Sequence, residues 1–308
     1  MRAAANPTMS DGRGFLLLDK EGGWTSHDVV AKVRRLAGTK KAGHAGTLDP
    51  MATGLVVVGL GRATRLLRFV QDLPKEYVAT VAFGVATDTL DADGAILSRA
   101  PMPVTGEDVA AVLPRFVGRI MQVPPMVSAL RVDGRRLYEL AREGKDVDRP
   151  PRPVDVHALE ILDFAPSDYP EATIRVMCGK GTYIRSLADD IARALGGRAH
   201  LTALRRNRVG SLDVESSGHT VSELEKATDE DRLIDLILSP ADGLGDLPFV
   251  EVDAPTAEGV SHGVQFAASL IGAEWAEHQV FRVLDQSGEL LAVYRMAGLN
   301  AVAEVVLS

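Results

Sequence analysis

The chain has 308 residues, 46% of them hydrophobic and 25% charged, with a formal net charge of −8. That is apolar chain enough for a sizeable core and, by length, about two domains; a disordered or fibrous architecture is excluded. Taken whole, the acidic total speaks against a nucleic-acid partner, because phosphate binding needs a basic surface.

The charge is unevenly spread. Residues 1–212 hold 30 basic and 24 acidic side chains, whereas 213–308 hold 4 and 18. Such asymmetry predicts separate tasks for the two parts. Cys178 is the sole cysteine, so a disulfide within the chain and a thiolate metal cluster are both excluded. One cysteine fits a reducing compartment. The sequence has no signal-like apolar run and nothing approaching the ~20 residues of a membrane helix. A cytoplasmic protein without a membrane partner is expected.

Residues 1–13 read as a disordered N-terminus. Phe15–Leu18 reads as a buried strand. Thr25 or Ser26 caps a helix with Val29, Val30 and Val33 on one face, ended by Gly38. A glycine-rich basic loop runs from Thr39 to Gly54, and its glycines would let backbone approach a ligand. Leu55–Val58 reads as a second buried strand. Ala63, Leu66, Leu67 and Val70 mark a helix, with Arg62, Arg65 and Arg68 elsewhere on its circumference. Tyr77–Phe83 alternates as a strand. Thr105 with Asp108 opens another helix.

Prolines bracket a charged insertion at about 122–153, and Leu137, Leu140 and Ala141 give it helical spacing. Thr173–Cys178 alternates as a strand. Ile184, Leu187, Ala188, Ile191 and Leu195 define a helix ended by Gly196. Thr220 and Glu223 cap a further helix. Pro240–Pro248 reads as a linker, and 249–308 as a small β-rich domain. Strands and helices mix without clean βαβ alternation, so the fold class is α+β.

Asp88, Asp91 and Asp93 before Gly94 lack the downstream glutamate of a calcium loop, so a turn is expected there. The informative run is Gly43-His44-Ala45-Gly46-Thr47-Leu48-Asp49-Pro50. Pro50 confines Asp49 to an extended conformation and fixes where its carboxylate points. A lone Asp-Pro is ordinarily a turn. Here it stands with an imidazole and Lys40-Lys41, in the most basic stretch of the chain.

That run, together with Leu18-Asp19-Lys20, Lys75-Glu76-Tyr77, Asp88–Gly94, Pro124–Leu130, Gly181–Asp190 and Leu201–Arg206, resembles the bacterial TruB-type tRNA pseudouridine synthases. The matching blocks span about 14–212. The resemblance implies a mixed, largely antiparallel central sheet with flanking helices. It also implies a catalytic domain over 14–248, an RNA-gripping insertion and a PUA-like C-terminal domain over 249–308.

The implied reaction converts uridine 55 of the tRNA T-loop to pseudouridine, without cofactor or metal. The expected partner is the T-loop and T-stem of tRNA, with no protein partner required and a monomeric enzyme. By the same resemblance Asp49 is the catalytic carboxylate, which must be ionised, and Arg185 is the cation beside it. Tyr77 stacks on the base, and His44 holds the loop once the nucleotide is flipped out. Lys20, Asp91 and Leu204 match further site positions, as do Gly46 and Thr47. Without the resemblance, Arg185 reads as a helix decoration, Tyr77 as core and His44 as a solvated side chain. A guide-RNA-dependent synthase and a non-catalytic tRNA-binding or folding module remain as alternatives. Basic residues of 1–70 and of the insertion are the expected phosphate contacts.

Overall fold

The computed structural model describes residues 14–128, 131–132, 135–136, 147–272 and 275–307. The N-terminal 13 residues and part of the insertion, with its expected helix, lie outside the described residues. By contacts the chain divides into two compact units. The first comprises Met1–Asp49, Leu55–Leu73 and Gly210–Ser308, and the second Pro50–Gly54 and Pro74–Val209.

In the first unit, β1 (Gly14–Lys20) is almost wholly buried. It exchanges backbone hydrogen bonds with Leu238 through Phe15. Helix α1 (Ser26–Leu36) starts at a complete capping box, in which Thr25 and Asp28 each bond the other's backbone N–H. This satisfies two of the orphan donors at the helix start. Val29, Val30 and Val33 form its buried stripe, and Gly38 follows at φ +59°, as the sequence predicts. β2 (Ala42–His44) pairs antiparallel with β3 (Thr53–Leu60), placing His44 opposite Val58. The chain then winds through a 3-10 turn, Gly61–Leu66, into α2 (Leu67–Asp72). The expected helix is therefore tighter in its first half, where Thr64 Oγ1 donates to the Gly61 carbonyl at 2.8 Å and competes with helical bonding.

The second unit is built on an antiparallel sheet. Its elements are β4 (Lys75–Phe83), β5 (Val85–Thr87), β6 (Ile96–Arg99), α3 (Gly106–Val112), β7 (Gly118–Gln122), β8 (Arg131–Val132), β9 (Arg135–Arg136), β10 (Arg152–Ala165), β11 (Glu171–Cys178), α4 (Ile184–Ala194) and β12 (Ala199–Val209). The strand order is β12-β4-β11-β10-β7, and each of these pairs is antiparallel. The first two residues of β3 add a parallel pairing, Thr53 with Arg205 and Gly54 with Arg206. The sheet is thus mixed and largely antiparallel. α4 buries Ile184, Leu187, Ala188, Ile191 and Ala192. Gly196 ends it at φ +84°.

Back in the first unit come β13 (Leu212–Asp213) and α5 (Val221–Asp229), the latter opened by the Thr220–Glu223 capping box. Pro240–Pro248 is not a linker. Ser239 caps a short helix, Pro240–Gly243, and Gly243 packs so closely that an added Cβ would meet Phe15 Cδ2 at 2.0 Å. Ser-Pro is an N-cap followed by a first-turn proline, a helix signal that a loop reading overlooks.

The chain then forms a C-terminal sheet with its own core. Its strands are β14 (Phe249–Glu251), β15 (Phe266–Ala267), β16 (Val280–Leu284), β17 (Leu290–Ala297) and β18 (Asn300–Val306), in the order β14-β16-β17-β18-β15. Phe281, Val283, Ala292 and Tyr294 lie at the centre of this core. The Tyr294 hydroxyl donates to the Val264 carbonyl at 2.8 Å.

Candidate active site

In the second unit, Arg185 is the second residue of α4 and is 2% exposed. Such burial demands partners, since an unpaired buried cation is costly. Its Nη1 donates to the Thr89 carbonyl and its Nη2 to the Val127 carbonyl, both at 2.8 Å. Nη1 also lies 3.2 Å from Asp91 Oδ2. The planar guanidinium thus clasps two loops at once. Asp91 is also buried, and its Oδ1 accepts from Thr89 Oγ1 and from the Asp93 amide. The Asp88–Gly94 segment is the expected turn between β5 and β6, with Leu90 in the left-handed region at φ +62°.

The start of α4 lacks a side-chain N-cap. A buried glutamine supports it instead. Gln122 Oε1 accepts from the Tyr183 amide at 2.8 Å, and Gln122 Nε2 donates to the Tyr183 carbonyl at 3.1 Å. Ser186 Oγ donates to the Val123 carbonyl at 2.9 Å. These bonds hold the helix turn that carries Arg185.

Tyr77 stands on β4 opposite Arg206 of β12, and Ala79 opposite Leu204. Residues directly opposite share a face. Tyr77, Leu204 and Arg206 therefore lie together on one face of the sheet, all buried. Gly54, at φ +97°, runs against β12 so closely that a Cβ would lie 2.3 Å from the Arg206 carbonyl oxygen. Its close approach is to backbone of the chain itself. Gly43 likewise packs on Leu67 Cδ1, 3.2 Å from where a Cβ would be. Two motif glycines are therefore explained by packing, not by a ligand.

In the first unit, Ser26 Oγ accepts from the Leu48 amide at 2.8 Å and donates to the Leu48 carbonyl at 3.3 Å. Leu48 is itself buried. Asp49, half-buried, is thus held between an anchored residue and a proline. The Ala45 amide donates to the Val57 carbonyl at 2.9 Å, fixing the other end of the loop. Gly46 lies in this loop at φ +119°, and Thr47 is exposed at its tip. His44 ends β2, 6.4 Å edge-on from the His27 ring. Lys20 is 1% exposed, and its Nζ donates to the Glu21 and Trp24 carbonyls at 3.0 and 2.8 Å. That ammonium braces the turn leading into α1.

A cavity of about 610 Å³ lies beside α4, lined among others by Asp88, Met126, Arg149, Asp189 and Asp190. Burial, and then the neighbouring Asp189 carboxylate, push Asp190 up to about 6. Asp189 is held by Arg193 and Arg198 at 2.8 and 2.6 Å. Burial pushes the Cys178 thiol up to about 11, which keeps it protonated and unreactive at neutral pH. Among the described residues no cluster of His, Cys, Asp and Glu could hold a metal ion, and no helix is long and apolar enough to cross a membrane.

The TruB family pseudouridylate synthase N-terminal domain matches residues 34–184. The tRNA pseudouridylate synthase B C-terminal domain matches 185–244. A tRNA pseudouridine synthase B of Symbiobacterium thermophilum is 50% identical over 265 residues, covering 86% of each chain. The protein of that name from Leifsonia xyli subsp. xyli is 43% identical over 297 residues, covering 94% of this chain and 95% of that one. The chain belongs to the TruB family.

Among solved structures, a Cbf5-Nop10-Gar1 complex contains a chain that matches this TruB-family protein at a TM-score of 0.75 and 26% identity. The match covers 96% of this chain and 85% of that one. The family match includes the Asp49 loop, Tyr77, Asp91 and the start of α4. The sequence reading missed Gln122, Ser26 and Arg206 as supports. An arginine on a strand otherwise buried on that face was the available signal for Arg206. Ser26 and Gln122 carry no local signal, because their partners lie 22 and 61 residues away.

Proposed function

We propose that this TruB-family protein isomerises uridine 55 in the T-loop of tRNA to pseudouridine. The observation that carries this reading is Asp49. It stands in the segment matched to the family, in a loop anchored on both sides and immediately before Pro50. The names of relatives at 43–50% identity support the substrate.

The chemistry follows from what the glycosidic bond must do. As uracil leaves, C1′ of the ribose gains positive charge. The Asp49 carboxylate stabilises that charge or bonds to it. Uracil turns, C5 bonds to C1′ as any Asp49–C1′ bond breaks, and C5 then loses its proton while N1 gains one. Tyr77 stacks on the base, and in this reading its phenol relays that proton. In this reading Arg185 is the cation that keeps the Asp49 carboxylate ionised, with Asp91 holding the guanidinium in orientation. Leu204 supplies an apolar wall beside Tyr77. His44, Gly46 and Thr47 contact the T-loop once the target nucleotide is extruded, because C1′ is inaccessible inside a folded loop. No metal, cofactor or protein partner is required by these steps.

A guide-RNA-dependent reaction is the second reading, favoured by the likeness to the Cbf5 complexes at 25–26% identity. The higher identity to proteins named tRNA pseudouridine synthase B favours stand-alone action. Purified protein and an unmodified tRNA transcript, with nothing else added, decide between them. Pseudouridine should form in the transcript. Its formation solely after addition of a guide RNA would overturn the stand-alone reading.

A further inference from the structure

Arg62, Arg65 and Arg68 recur every third residue through the 3-10 turn and α2. Lys41 lies beside this segment, its carbonyl accepting from the Gly61 amide at 2.8 Å, so phosphate contact is the first expectation. Their hydrogen bonds point elsewhere. Arg62 Nη1 donates to the Leu307 carbonyl at 2.7 Å, and Arg65 Nη1 to the Val306 carbonyl at 2.6 Å. Arg68 Nη2 donates to the Glu304 carbonyl at 3.1 Å and to its carboxylate at 2.7 Å. Three arginines thus meet the last strand in reverse order.

The spacing explains why the two elements fit. Three residues rise about 6 Å in a 3-10 turn and about 4.5 Å in an α-helix. Two residues of a strand advance about 6.8 Å. The acceptors of Arg65 and Arg68, Val306 and Glu304, are one such strand repeat apart, whereas the acceptor of Arg62, Leu307, adjoins Val306 just past the strand end. The β17–β18 register shifts at Glu304, between Ala303 and Val305, and the Glu304 and Val306 carbonyls both accept from the arginines. On the edge away from β17, β15 pairs with Asn300 and Ala301 alone, so the rest of β18 would otherwise offer an open strand edge. Charge adds to the fit, since 249–308 holds 2 basic and 8 acidic residues. Glu304 accepts from Arg295 Nε at 2.9 Å with its second oxygen, extending the contact into a network. The other arginine of this domain is turned inward, because Arg282 donates to the Ala241 and Leu247 carbonyls at 2.8 and 3.0 Å.

We propose that Arg62, Arg65 and Arg68 form a docking comb for the chain's own C-terminal strand, and that this use withholds them from RNA phosphate. The comb seats the acidic β-domain on α2 and closes its exposed edge. The same segment packs through Leu67 on Gly43 and Gly59 of the hairpin that carries His44. The comb therefore links the C-terminal strand to that hairpin through one short helix.

The test uses the full chain with Arg62→Gln, Arg65→Gln and Arg68→Gln combined, and Arg65→Gln alone as the milder variant. Amide hydrogen exchange of residues 302–307 reads docking. The salt dependence of tRNA affinity reads phosphate contact. Exchange should rise at least tenfold in the triple variant and measurably in the single one, with the salt slope unchanged. Unchanged exchange in both would overturn the proposal. So would a slope lowered by about two or more, the loss expected for two or three phosphate contacts. The docking half does not depend on the tRNA reading, because exchange is measured without RNA.

Discussion

Arg185 and Asp91 form a buried ion pair at 3.2 Å, with side chains 3% and 7% exposed. Removing either partner would leave an uncompensated buried charge. The pair ties α4 to the turn after β5, and the Thr89 and Val127 carbonyls complete the guanidinium's shell. Asp91→Asn keeps the shape and removes the compensating charge. Breaking a buried pair from one side costs about 3–5 kcal/mol. Urea unfolding should show that loss. Arg185→Lys should also lose activity, because one ammonium cannot replace a fork that reaches three acceptors. A lysine variant with wild-type kcat would contradict the role given to the guanidinium.

Gln122 makes a testable claim about positioning. Gln122→Leu fills the space and leaves the Tyr183 amide and carbonyl without their partners. The expected loss of stability is about 2 kcal/mol. Since this clamp sets the start of the helix bearing Arg185, kcat should fall while KM for tRNA stays near wild type. A raised KM with unchanged kcat would place Gln122 in RNA binding instead.

Gly54→Ala should be among the most damaging single changes. The backbone lies at φ +97°, and the new Cβ would sit 2.3 Å from the Arg206 carbonyl oxygen and 2.9 Å from its nitrogen. Backbone cannot yield as a flexible side chain would, so about 3 kcal/mol or more should be lost. Thermal unfolding against wild type checks it. A normal Tm would show that β3 and β12 separate easily.

Asp190 gives a pH signature. Its folded value, about 6, lies above the ordinary 3.8, so folding favours the protonated form. Its stabilising effect is full below about pH 4 and is lost as pH rises through about 6. Asp190→Asn should therefore leave stability unchanged below pH 4 and raise it at pH 8. The shift corresponds to about 3 kcal/mol before screening, and partial exposure reduces this to about 1 kcal/mol. Urea unfolding at both pH values measures it. Equal effects at the two pH values would show that Asp190 titrates normally.

The elements legible in the sequence were those with an apolar face and a polar cap. α1, α4 and α5 carry three- and four-residue apolar spacing, and Thr25 and Thr220 announce two of the starts. β1, β3 and β4 were legible because their buried residues run together or alternate. β10 was not, since Val154 and Val156 are its buried positions and the rest of its 14 residues face outward or lie half-buried. β12 hid for the opposite reason, with a buried Arg206 where an apolar residue would mark a strand. At the site, the Asp49 loop and Arg185 stood out through family likeness. Their supports did not, because Gln122 and Ser26 act through backbone groups far away in sequence. The fate of Arg62, Arg65 and Arg68 was equally hidden, since their partners begin 236 residues later.

The central claim is that Asp49 carries out the isomerisation of one T-loop uridine. The most direct measurement is a position-resolved pseudouridine map of a tRNA transcript after incubation with wild type or Asp49→Asn. Wild type should convert position 55 and leave the other uridines unchanged, and Asp49→Asn should bind the tRNA and convert none. Wild-type turnover by Asp49→Asn, or conversion at another position in place of 55, would contradict the account.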